Sequence, residues 1–420
     1  MKKTLCLMLM LILLLSTSLA VTAEEAKTVT YAFVATWQET TPWLPDHGDG
    51  IDVFRVSEDG TLDFVFNFPT ETNSTILTIS ADGQYVYATD ETRDYDGNEG
   101  AGGGAISMVF DPASGTLTRL NKVPSFGAAT SNVDVNAVGT LVAVSNHGST
   151  VGEYYAVKAR QGENGEWEVY KEYDDSSICV YPVEEDGSLN SKQVSLCIVP
   201  VNGAHLHTVR FSPSNQYLLS CDKGTGKIFV FQVNNDEKTV APAQVPYFED
   251  AGTHPRHLAF SPDAPDRFYV IHEIGLQIGS YQLNEETGEI TKLDLVPSCG
   301  GEKVCLDGFG AGSDIRVHNN GKYIYVSNRR AKGDEFEGNI GVFSVDEAGK
   351  LTLIQCIGVG PNPRGFNLDP SSQYLYVCES NNDTITRFLV DPETGLLSDP
   401  VTACSVGTPT CIMFHTYLVD

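Results

Sequence analysis

Positive charge is scarce in this chain: 27 lysines and arginines stand against 55 aspartates and glutamates, for a net charge of −28 at pH 7. Such a surface repels nucleic acid and anionic lipid, so neither is expected as a partner. Long apolar runs are scarce too. The longest, Leu5–Leu15, is too short for a comfortable bilayer span, and nothing after it is apolar enough to cross a membrane. No two cysteines have C-x-x-C spacing, which leaves the usual zinc frameworks without support. No segment reads as a long amphipathic helix, which points to an all-β chain.

The first residues predict export. Lys2 and Lys3 precede the apolar run, and small residues lead to Val21-Thr22-Ala23, an A-x-A-like cleavage site. That order is expected of a secretory signal peptide over residues 1–23, with residues 24–420 forming one secreted or periplasmic domain. Its removal takes away two lysines and no acid, moving the net charge from −28 to −30. Cys6 leaves with it. Most of the remaining cysteines lie in apolar strand-like runs and are expected as small core residues. Cys299 and Cys305 share a glycine-rich loop and form a candidate disulfide in an oxidising compartment.

The rest of the chain repeats itself. A turn and an aromatic or apolar strand recur with starts at Tyr85, Leu141, Tyr217, Phe268, Tyr323 and Tyr374, spaced by 56, 76, 51, 55 and 51 residues. A period near fifty residues marks a propeller or similar array. Each copy adds a short apolar run before the turn and two strands after it, the last two joined by an acidic turn ending in glycine, as in Glu286-Thr287-Gly288 and Glu393-Thr394-Gly395. Four short antiparallel strands make a blade. Six copies are complete. A seventh is expected from the ends, with Pro409–Phe414 as its first strand and Thr28–Thr36, Ile51–Val56 and Thr61–Phe66 as the others. Pairing the termini closes the ring and removes free sheet edges. Two sandwiched β domains would not need ends that match. The long gap holds an insertion over 151–175, and 97–104 and 331–338 are further loop excursions.

A closed ring gathers equivalent positions at one mouth, because the start of a first strand and the end of its antiparallel second strand lie together. Six residues before each turn proline, or its equivalent, stand Thr75, Ser131, His207, Arg256, Ser313 and Arg364. At or beside the end of each second strand stand Asp90, Asn146, Asp222, Glu273, Asn328 with Arg329, and Glu379. His205 and His207 alone do not make a metal site, since no third ligand is spaced to join them, so no metal and no cofactor are expected.

The segments Gly203–Pro213, His254–Pro262, Tyr323–Arg329 and Gly360–Pro370 resemble the lactonase-type seven-bladed propellers, a group that includes propeller 6-phosphogluconolactonase and carboxy-cis,cis-muconate cyclase. The resemblance implies a histidine, a glutamate and two arginines as active residues. By matching motifs these are His207, Glu273, Arg256 and Arg329. Their neighbours His205, Asp222, Asn328 and Arg364 are expected at the substrate. The implied activity is hydrolysis of a small sugar-derived or anionic lactone, with His207 or Glu273 activating water and the arginines meeting the oxyanion or a substrate anion. A lactonising cycloisomerase is the alternative within the family. A non-catalytic exported propeller that binds a ligand or protein at its mouth is the alternative outside it.

Overall fold

The structure is a computed structural model and describes residues 27–41, 44–148, 155–243, 246–249, 252–298, 310–330 and 338–419. Its sheets form a ring of seven antiparallel blades. In chain order, blade one is Leu77–Ile79, Tyr85–Asp90, Gly104–Asp111 and Thr116–Pro124, and blade two is Thr130–Val135, Leu141–Asn146, Ser176–Pro182 and Ser195–Val199. Blade three holds Leu206–Phe211, Tyr217–Asp222, Lys227–Asn234 and Thr239–Pro242, with the short Tyr247–Phe248 added to its third strand. Blade four is Pro255–Phe260, Arg267–His272, Gln277–Leu283 and Ile290–Pro297, and blade five is Gly310–Val317, Tyr323–Arg330, Gly338–Val345 and Leu351–Val359. Blade six is Pro363–Leu368, Tyr374–Glu379, Thr384–Val390 and Leu397–Ser405.

Blade seven joins the two ends of the described chain. Its innermost strand, Pro409–Leu418, pairs antiparallel with Thr28–Thr36 from Thr28↔Leu418 to Thr36↔Pro409, and Gly50–Val56 and Leu62–Pro69 complete it. The closing strand runs four residues beyond the expected Phe414, because Thr416 and Tyr417 still find partners in Thr30 and Val29.

The blades are held by packing between faces. Seven apolar clusters lie at the seven blade-to-blade interfaces, for example Tyr31, Phe33, Val86 and Ile106 between blades seven and one, and Tyr325, Ile340, Phe366 and Val377 between blades five and six. A strand buried on both faces needs apolar side chains at every position, so the second strands read as continuous runs. Their tyrosines add a polar tie. The hydroxyls of Tyr87, Tyr325 and Tyr376 donate to the carbonyls of Gly187, Gly395 and Gly60 in the turn of the next blade, at 3.2, 2.9 and 2.8 Å. This tie explains why the tyrosine and the turn glycine recur together.

The insertion carries a hairpin, Tyr155–Gln161 paired with Trp167–Tyr173. The excursion at 97–104 is tight and begins in a single 3-10 turn, Tyr95–Gly97. Cys179, Cys221, Cys378 and Cys411 are buried as expected, but Cys356 is exposed. It sits on an outermost strand whose alternate residues face solvent. Cys299, Cys305 and residues 331–337 lie outside the described residues.

Candidate active site at the ring mouth

In six blades the innermost strand carries a β-bulge just after it begins, and the extra residue is Ser131, His207, Arg256, Arg364, Thr410, or Ser313 with Asp314. A bulge leaves one residue out of the ladder and re-aims its side chain. The sequence offset therefore has a backbone cause. The re-aimed groups link successive blades around the axis. Ser131 Oγ donates to the His207 carbonyl at 3.2 Å, Arg256 Nη1 to the Ser313 carbonyl at 2.6 Å, Ser313 Oγ to the Arg364 carbonyl at 2.6 Å and Thr410 Oγ1 to the Thr75 carbonyl at 3.0 Å. Two glycines permit the close approach of these strands: a Cβ on Gly312 would lie 2.5 Å from the His272 carbonyl oxygen, and one on Gly365 would lie 2.3 Å from that of Thr410.

Glu273 is the hub. Its carboxylate lies 3.1 Å from Lys223 Nζ, 3.0 Å from Arg329 Nη2 and 3.7 Å from Arg256 Nε, cations supplied by blades three, five and four. Burial works against its charge, yet Lys223, Arg329 and Arg256 together hold its pKa well below the usual carboxylate range. The side chains open outward in order, from Arg256 at 3% exposed through Arg329 at 13% to Lys223 at 22%. That gradient makes Arg256 the floor and Lys223 the rim. Burial lowers the Lys223 pKa against the pull of Glu273.

His207 lies beside this cluster. Its ring centroid is 4.9 Å from that of His257 and 5.9 Å from that of His147. Burial first, then the charges of Arg256 and its neighbours, hold its pKa well below the free imidazole value, so it is neutral at pH 7. His147 stacks on His205 with centroids 4.7 Å apart and planes at 11°. His205 Nε2 is buried and makes no hydrogen bond among the described residues. Among the described residues no three His, Cys, Asp or Glu side chains are grouped to hold a metal ion.

The other expected residues fall in different places. Asp222 is spent on the backbone, accepting from the N–H groups of His205 at 2.7 Å and Gly224 at 2.9 Å. Asn328 bridges Ser298 and Asn339. Asn146 and Glu379 are likewise engaged, with Ser125 and Ser177, and with Gly360 and Thr384. Each of these ends its strand, except Asn328, which lies two residues inside the end of its own. The residue after Asp90, Asn146, Asp222, His272 and Asn328 belongs to the mouth, giving Glu91, His147, Lys223, Glu273 and Arg329, whereas Ser380 after Glu379 donates to the Pro409 carbonyl. Alternation along a strand makes neighbours face opposite ways, so the polar strand-end residues fall into two registers. Glu91, His147 and Lys223 escape the sequence reading for that reason, although each directly follows a residue expected at the mouth.

Arg364 rests its guanidinium over the Trp37 ring at 5.8 Å and lies near Glu91. Burial lowers the Arg364 pKa while Glu91 opposes it, and burial raises the Glu91 pKa while Arg364 opposes it. Thr75 Oγ1 donates to the Glu91 carboxylate. Among the described residues, Lys223, Arg256, Arg329 and Arg364 thus gather around Glu273 and Glu91 at the mouth of a strongly acidic protein. A separate shallow cleft of about 460 Å³, lined by Thr28, Arg55, Glu58, Asp369 and Tyr374, lies at the opposite end of the ring, where second strands begin. It contains none of these groups.

Known proteins share this architecture. A family model described as lactonase, 7-bladed beta-propeller matches residues 32–414. A 6-phosphogluconolactonase of Bacillus subtilis is 26% identical over 321 residues, covering 74% of this chain and 80% of the relative. One of Formosa agariphila is 26% identical over 389 residues, covering 88% and 96%. A crystal structure from Bacteroides uniformis is 25% identical with a TM-score of 0.73, covering 92% of this chain and 99% of that one.

Proposed function

The chain belongs to the lactonase family of seven-bladed β-propellers, and from that premise we propose that it is an exported hydrolase opening a small sugar-derived or anionic lactone at the ring mouth. The lactone is supported by the relatives named 6-phosphogluconolactonase. Export is supported by the order of Lys2, Lys3, the apolar run Leu5–Leu15 and Val21-Thr22-Ala23.

One observation carries the reading. Glu273 gathers Lys223, Arg256 and Arg329 within 3.0 to 3.7 Å beside a neutral, buried His207. Lactone hydrolysis adds water to the carbonyl carbon, so negative charge grows on the carbonyl oxygen. Arg256 and Arg329 meet that charge in a site where little water competes. His207 takes the proton from the attacking water and returns it to the ring oxygen as the C–O bond breaks. Glu273 suits this base role poorly. Its carboxylate is already taken up by Lys223, Arg329 and Arg256 at 3.1, 3.0 and 3.7 Å, so its part is to hold the cations in place. The surplus of positive charge favours an anionic substrate, and a planar guanidinium can also grip a substrate carboxylate or phosphate through two N–H groups.

Acid release from 6-phosphoglucono-δ-lactone, glucono-δ-lactone and a neutral aliphatic lactone tests the proposal. The mature protein is expected to hydrolyse anionic lactones fastest, and Arg256→Ala is expected to cut kcat/KM by about 10²- to 10³-fold. No turnover on any of the three would remove the enzymatic reading. Turnover unaffected by Arg256→Ala would move the reaction elsewhere.

A further inference from the structure

Beneath the mouth, side chains of three successive blades form one hydrogen-bonded line. His207 Nδ1 lies 3.2 Å from His257 Nε2, and His257 Nδ1 lies 2.8 Å from Asp314 Oδ1. All three side chains are buried. Asp314 Oδ1 is itself fixed, accepting from Arg316 Nη1 at 2.8 Å and from the Ile315 N–H at 2.9 Å.

The hydrogens along this line follow by elimination. Burial works against the Asp314 charge, but Arg316 and the His257 hydrogen bond pull its pKa below the usual range, so it is a carboxylate and can only accept. His257 Nδ1 must therefore carry a hydrogen. His257 is neutral, its pKa pushed down to about 3 by burial and then by Arg256, so its Nε2 is bare. Arg256 Nη1, a donor only, faces that same Nε2 at 3.4 Å and agrees with a lone pair there. Opposite an acceptor, His207 Nδ1 must hold its own hydrogen. The lone pair of neutral His207 is then left on Nε2, which makes no hydrogen bond among the described residues.

We propose that His257 and Asp314 are positioning residues that hold His207 in its Nδ1–H tautomer and so present its Nε2 lone pair to the attacking water. This rests on the reading of His207 as the base. The water proton goes to His207 Nε2, and the imidazolium donates from Nδ1 to His257, which keeps its own proton on the Asp314 side. His207 Nε2 then gives its proton to the departing ring oxygen. Neither His257 nor Asp314 gains or loses a proton over the cycle. A pair that merely filled the channel would have no effect on which ring nitrogen of His207 is protonated.

The ¹⁵N shifts of ring-labelled histidine in the whole protein at pH 7 read the tautomer directly, with His207 assigned by loss of its signals in His207→Gln. The expected result is a protonated Nδ1 and a bare Nε2. His257→Leu is expected to shift His207 toward the Nε2–H form and lower kcat about 10- to 100-fold, with KM held within about 3-fold. His257→Gln, whose amide oxygen can still accept from His207, is expected to keep the tautomer and most of kcat. A bare Nδ1 in the wild type overturns the positioning line whatever the turnover. An Nδ1–H tautomer together with wild-type kcat in His257→Leu leaves the geometry standing and overturns His207 as the base. If the leucine variant does not fold, the wild-type spectrum and the glutamine variant still decide.

Discussion

At the innermost position of blades seven, one and two stand Thr410, Thr75 and Ser131, while at the same position of blades three, four and six stand His207, Arg256 and Arg364. The backbone is the same, including the bulge in all of these blades but blade one. Ser131 and Thr410 spend their hydroxyls on joining strands, as Thr410 does on the carbonyls of Ala35 and Thr75, both at 3.0 Å, while Thr75 donates to Glu91. Of the larger groups, Arg256 brings its charge to Glu273 and Arg364 brings its own beside Glu91, while His207 brings a neutral imidazole. Ser313 of blade five does both jobs. It receives Arg256 and passes the chain of bonds on to Arg364. The difference teaches that the wheel and its chemistry are separable: one sector holds the fold together, and the other uses that frame to carry a reaction.

The sharpest way to break this comparison is to cut both sectors alike. Arg256→Ala is expected to lower lactone kcat/KM by about 10²- to 10³-fold, whereas Ser131→Ala should leave it within about 3-fold. Equal losses would mean that the sectors do not differ in role. Glu273→Gln comes next. It leaves Lys223, Arg256 and Arg329 facing one another in a buried place and should cost about 3 kcal/mol by urea denaturation. Adding Lys223→Met should recover part of that loss by removing one of the repelling cations. A Glu273→Gln protein as stable as the wild type would show that the carboxylate is not the anchor.

Acid should act in the same direction. His147, His205, His207, His257, His272, His318 and His415 all have folded pKa values below the free imidazole value, with burial the first cause in each. The unfolded chain then binds more protons than the native one once the pH falls below about 6.5, so stability must fall with it. The denaturation midpoint is expected to drop between pH 7 and pH 5, with a shallower slope when His207 and His257 are both replaced by glutamine. An unchanged slope would place the sensitivity outside the charged sector. The smallest effect belongs to neither sector. Tyr376→Phe loses the bond to the Gly60 carbonyl and should cost about 1 kcal/mol without altering turnover.

The wheel was readable in the sequence because its two most repeated features touch each other. A tyrosine in the second strand meets the turn glycine of the next blade in blades one, five and six, so Tyr87 with Gly187, Tyr325 with Gly395 and Tyr376 with Gly60 mark the period. The mouth was readable only to within one residue. Asp222 and Lys223 are both polar and adjacent, as are Asn328 and Arg329, and composition does not say which of each pair turns inward. Strand alternation decides it, and the exact end of the strand sets the phase. His257 and Asp314 left no signal. His257 follows the bulged Arg256 and Asp314 lies within the bulge of the next blade, and they acquire meaning only when the ring brings them 2.8 Å apart.

A crystal structure of the protein soaked with 6-phosphogluconate or gluconate, the ring-opened products of the corresponding lactones, tests the location of the chemistry most directly. The product carboxylate is expected against Arg256 and Arg329, with the carboxylate carbon within reach of His207 Nε2. A product bound instead in the cleft of Arg55, Asp369 and Tyr374 at the far end of the ring, with the mouth empty, would contradict the account.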